Sequence, residues 1–259
     1  MSISGDLGGE TLSACSDGNI AKLEAIFRHV GIGINHAQNE CDFQQLVAPQ
    51  NQIPSVPSML LHAIRGQQLD TLSYLYWRFQ GSSLCDGPIG AAIDTGNLEL
   101  VKKVCELDPA AANGEIGHVN TLAYACSQSK SADVVKTLLD AGADPNKPAQ
   151  HTPPYSDISY AVSSGLPPST IEHFFDAGYR CDDGWAIKWA VREKRSDALQ
   201  VLFRRGKQLA TARFPTEEEL IKMAEENQDA QMIEQIKQLY PHAARKKGFI
   251  ASMAAKLFP

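Results

Sequence analysis

Thr121 to Asn146, TLAYACSQSKSADVVKTLLDAGADPN, is the stretch that decides how the rest of this chain is read. It opens on a short apolar segment built around Ala125, passes through a polar turn, and continues as a segment with Val134, Val135, Leu138 and Leu139 at helical spacing. Apolar residues at that spacing form one face of an amphipathic helix. It closes on Gly142-Ala143-Asp144-Pro145-Asn146, a run of turn-forming residues that no helix would continue through.

The same order of apolar residue, alanine, polar turn and amphipathic segment recurs about seven times. The alanines that mark the register are Ala14, Ala63, Ala92, Ala125, Ala161, Ala190 and Ala224, separated by 49, 29, 33, 36, 29 and 34 residues. A small residue at this place has a physical reason: two stacked helices approach closely only where the facing side chain is small. The second segments repeat the apolar face as Ile20, Leu23, Ile26 and Phe27; Leu72, Leu75 and Tyr76; Leu98, Val101 and Val104; Ile171, Phe174 and Phe175; Leu199, Leu202 and Phe203; and Met232, Ile233, Ile236 and Leu239. The turns within pairs are Asp17-Gly18-Asn19, Gly66-Gln67-Gln68, Thr95-Gly96-Asn97 and Ser163-Ser164-Gly165, where glycine is expected to take positive φ after the first helix.

A period near 33 residues, a helix pair and a closing G-A-D-x-N turn resemble the ankyrin repeat family, whose units are about 33 residues long. The resemblance covers roughly residues 10 to 240, with weaker echoes of the closing turn at Gly31-Ile32-Gly33-Ile34-Asn35, Asp176-Ala177-Gly178-Tyr179 and Arg205-Gly206-Lys207. It implies an all-α, ankyrin-like repeat solenoid of about seven helix pairs with short or degenerate β-hairpin fingers. The expected organisation is one repeat domain over residues 1–241, with units near 10–35, 58–80, 87–108, 120–146, 156–181, 185–206 and 216–240. Residues 36–57 and 147–157 interrupt the period as insertions. Residues 242–259 carry four basic residues, no acids, and Phe249, Ile250, Met253 and Leu257 at helical spacing. This C-terminal basic amphipathic helix either docks on the last repeat or lies against a partner or membrane surface.

Composition excludes several function classes. With 24 Lys+Arg against 30 Asp+Glu, the formal charge of -6 gives no general attraction to phosphates, so nucleic acid is not an expected partner. No apolar run reaches the length of a membrane span, and the N-terminus has no signal-peptide pattern, so a cytoplasmic or nuclear protein is expected. Six cysteines lie far apart without C-x-x-C, which suits reduced thiols, and seven histidines are never spaced as a metal pair, so neither cofactor nor metal is expected. None of the familiar nucleotide, zinc-protease, serine-hydrolase or kinase signatures occurs.

The family resemblance implies a concave groove between first-helix ends and finger tips, used to hold a protein partner. On this register the groove takes Arg65, Asp94, Thr95, Gln128, Ser163, Arg192 and Glu193 from the helices. From the fingers it takes Asp86, Val119, Tyr155, Asp183 and Trp185. Tyr124, Tyr160 and Trp189, each beside a register alanine, are expected to pack within the helix stack. The competing reading is an enzyme or small-molecule binder whose pocket forms between groove and insertions. It would use acid/base groups such as Asp94, His118, Tyr155, Asp157, Lys188 or Arg192. Oligomeric state is not legible.

Overall fold

The computed structural model describes residues 6–32, 53–79, 82–129, 131–147 and 156–240. The expected tail helix, Tyr155 and most of both insertions lie outside them. The chain divides into two compact units, Met1–Asp157 and Ile158–Pro259.

The first unit contains α1 (Leu7–Ser16), α2 (Ile20–His29), α3 (Val56–Arg65), α4 (Leu69–Arg78), α5 (Gly87–Thr95) and α6 (Leu98–Leu107). A 3-10 turn, Pro109–Asn113, then leads into a hairpin of β1 (Glu115–Ile116) and β2 (Val119–Asn120). The unit ends on α7 (Thr121–Tyr124), a π-helical turn (Ala125–Ser129) and α8 (Ala132–Asp140). Odd-numbered helices stack on one another, α1 on α3 and α3 on α5, and each packs on its own partner. The partners form a second row, in which α4 meets α6 and α6 meets α8.

The second unit holds α9 (Asp157–Ser163), which begins at the unit boundary, then α10 (Pro168–Asp176), α11 (Trp185–Arg192), α12 (Ser196–Gly206), α13 (Glu217–Glu226) and α14 (Ala230–Leu239). Here α11 packs on α12 and α13, and α12 on α10 and α14. Both units are therefore all-α and built of helix pairs, and none of the described helices is long and apolar enough to cross a membrane.

All seven register alanines are buried, none more than 1% exposed, as close helix stacking requires. Second helices begin on side-chain caps where a suitable residue is available: Asn19 accepts from the Lys22 amide, Asn97 from Leu100, Ser131 from Val134 and Asp229 from Met232. Two expectations need correction. Leu98 is 37% exposed, and the buried stripe of α6 is Leu100, Val101, Val104 and Cys105. Steps of three residues drift by 60° each against a 3.6-residue turn, which carries Leu98 off the buried face. Positive φ follows the first helix at Gly18, Gly96 and Gly165, but Gly66 has φ of -76° and Gln67 takes the left-handed position. Gly66 is glycine for another reason: a Cβ there would sit 2.2 Å from the Ser16 carbonyl oxygen of α1.

One β-hairpin finger is present among the described residues. Glu115 pairs with Asn120 and Ile116 with Val119, around Gly117 at φ +62°. Its base is tied to the helices, because the Thr121 amide donates to Gly114 and its hydroxyl to the Ala111 carbonyl.

Candidate functional site

A groove of about 370 Å³ opens in the first unit, lined by Leu61 and Arg65 of α3, Gly87, Gly90, Ala91, Asp94 and Thr95 of α5, Ile116 of the finger and Tyr124 of α7. On α5, Gly87, Gly90, Ala91 and Asp94 fall on one helical face, so three residues of floor carry little or no side chain before a carboxylate is reached. Gly90 is the point where the finger closes down, since a Cβ there would lie 3.3 Å from Ile116 Cγ2. The Tyr124 hydroxyl donates to Asp94 Oδ1 at 2.9 Å, linking α7 to α5 across the groove. Partial burial first, and then that carboxylate, raise the Tyr124 phenol above its ordinary pKa. Neither Arg65 nor Asp94 forms a salt bridge among the described residues, so the groove presents one cation and one anion to solvent.

Arg65, Asp94 and Thr95, assigned to the groove from the repeat register, are thus brought together. Tyr124, Leu61 and Ile116 line the same space without having been assigned to it. For Tyr124 the signal was available: one position before the register alanine is also one helical step from the exposed first-helix end. Asp86 is close by but braces the finger, its carboxylate accepting from the Gly117 amide at 3.0 Å. Val119 belongs to β2, and Gln128 is exposed on the π-helical turn outside the groove lining.

The remaining assigned residues lie in the second unit. Asp183 accepts from the Trp185 amide at 2.9 Å and from the Tyr179 hydroxyl at 3.3 Å, so it organises the start of α11. Along α11, Trp185, Lys188, Trp189 and Arg192 share one face. Lys188 lies 5.0 Å from the Trp185 ring and pairs with Glu219 of α13 at 2.7 Å. The Arg192 guanidinium lies 4.6 Å from the Trp189 ring and remains 63% exposed, with Glu193 no nearer than 3.9 Å. Trp189 and Tyr160 are half-buried, and the Ser163 hydroxyl turns back to the Tyr160 carbonyl.

Of the acid/base groups of the enzyme reading, Lys188 and Arg192 share the α11 face in the second unit. In the first, Asp94 faces the groove, His118 is exposed on the hairpin turn and Asp157 is 1% exposed. The Asp157 carboxylate accepts from Asn120 Nδ2 at 3.2 Å, while its Oδ2 and the Asn120 Oδ1 are buried without a partner among the described residues. Burial pushes the Asp157 carboxyl up to about 7, against the opposing pull of the Asn120 bond and the Lys147 charge. The thiols of Cys15, Cys105, Cys126 and Cys181 are buried and pushed above their ordinary value, which suits packing rather than nucleophilic chemistry.

No protein-family model matches the sequence, and no curated protein matches it. Among solved structures, the human ASB11 ankyrin repeat domain superposes with a TM-score of 0.51 at 19% identity, covering 70% of this chain and 83% of that one. A chain in the structure of the Bd0816 predatory endopeptidase from Bdellovibrio bacteriovorus in complex with immunity protein Bd3460 gives 0.48 at 14% identity, covering 78% and 99%. The second likeness is too distant to carry an argument. Buried register alanines, paired helices in two rows and the first of these likenesses together establish that the chain has an ankyrin-repeat-like fold.

Proposed function

We propose that this protein is an interaction module that holds a polypeptide partner in the groove between α3, α5, α7 and the finger. The observation that carries the reading is an open space with an apolar floor and two charges, Arg65 and Asp94, that form no ion pair among the described residues. Interfaces concentrate binding energy in such places, where an apolar centre is rimmed by groups that fix orientation. The groove is open to solvent, which favours a partner laid across it over a small molecule sealed within it. The reading further takes residues 1–241 as one repeat array working in the cytosol or nucleus, where unpaired thiols stay reduced. Gly87→Leu supplies the test, because the added side chain projects into the groove where a Cβ meets nothing within 4 Å. Partners captured from cell extract by the wild type should be lost by this variant at an unchanged thermal midpoint. Retention of every partner overturns the groove assignment.

A further inference from the structure

The charges and shape of the groove narrow the class of group that enters it. Gly87, Gly90 and Ala91 keep its floor low up to Asp94, and Leu61 and Ile116 supply apolar walls along the way. At its end the Tyr124 hydroxyl holds Asp94 Oδ1 at 2.9 Å, and Asp94 Oδ2 has no bond among the described residues. A carboxylate already oriented by the protein spends less ordering entropy on meeting a ligand than a free one does. Arg65, by contrast, is exposed and has no hydrogen bond or ion pair among the described residues to fix its guanidinium. The chain's net charge of -6 adds a long-range preference for cationic over anionic segments.

We propose, resting on the groove reading above, that the groove accepts a Lys or Arg side chain of the partner polypeptide, its charged head bonding Asp94 Oδ2 beside the Tyr124 ring. The methylene stem lies over Gly87 and Gly90 between Leu61 and Ile116, in the way long basic side chains cover apolar surface while their heads stay polar. Tyr124 contributes its ring face as well as its hydrogen bond, since aromatic faces attract cations.

The test is selection of binders to the full chain from a phage-displayed random-peptide library, followed by fluorescence anisotropy with the enriched peptides. Enrichment of Lys or Arg is expected. Replacing that residue by Gln, or Asp94→Asn in the protein, should weaken binding about tenfold, the loss of one charge-assisted hydrogen bond. Gly87→Leu should abolish it. Peptides that Gly87→Leu excludes but Asp94→Asn binds as tightly as the wild type overturn the cation assignment and leave the groove reading standing. So do peptides whose binding depends on an acidic residue and Arg65. Peptides that still bind Gly87→Leu, or the absence of any binder, overturn both.

Discussion

Asp157→Asn should make the protein more stable at pH 8 and less sensitive to pH below it. The wild-type carboxyl is 1% exposed, bonded to Asn120 Nδ2, and raised from 3.8 to about 7, chiefly by burial. Lys147 pulls it down, but its ammonium also bonds the Asn113 carbonyl and lies 3.8 Å from Glu115, so its charge is shared. Asp144 and the buried Cys126 thiol add no stabilising charge. The start of α9 favours a carboxylate by about 0.3–1 kcal/mol, too little to reverse the burial effect. The sign follows from linkage. Between pH 4 and 7 the folded state keeps a proton that the unfolded state has released, so stability is full below about pH 4, falls as pH rises, and levels off above 7. At about 1.4 kcal/mol per unit, the shift of roughly three units corresponds to about 4 kcal/mol lost across that window. Asparagine keeps an acceptor for Asn120 Nδ2 and puts an amide in place of the orphaned Oδ2 without a charge. Urea unfolding of wild type and variant at intervals from pH 4 to 8 isolates this group, because other titrations cancel in the difference. Parallel stability profiles for the two proteins would refute the reasoning.

Gly66→Ala should destabilise by about 1–3 kcal/mol, because the new methyl meets backbone of α1 and that backbone must move; an unchanged urea midpoint would show that α1 and α3 separate without cost. Phe203→Ala, in a buried position where Phe214 and Tyr240 pack at ring centroids of 4.9 and 5.3 Å, should cost about 3–5 kcal/mol in the same assay. Gly87→Leu should shift the thermal midpoint little, since the site has open space and a φ outside the positive range, while changing whatever binds the groove. Tyr124→Phe removes an exposed hydrogen bond to Asp94 and should leave stability within about 1 kcal/mol; weakened peptide binding at unchanged stability separates a binding role from a packing one.

The repeat was legible in the sequence because stacking imposes one small residue per unit at a fixed place, and all seven alanines assigned from spacing are buried. The second-helix faces were legible for the same reason, with Val134, Val135, Leu138 and Leu139 all buried, and Leu98 strayed only because three-residue steps drift around the helix. Arg65, Asp94 and Thr95 could be grouped from register, since equivalent positions on successive first helices are neighbours in a stack. Tertiary structure alone decided the rest, wherever the deciding partner lies tens of residues away. Gly66 is fixed by a carbonyl at Ser16, Tyr124 by a carboxylate at Asp94, Asp86 by an amide at Gly117, and the protonation of Asp157 by burial beside Asn120. Spacing along a chain reports which face a residue occupies, whereas hydrogen bonding and desolvation depend on which atoms that face meets, and those are set only when the helices pack.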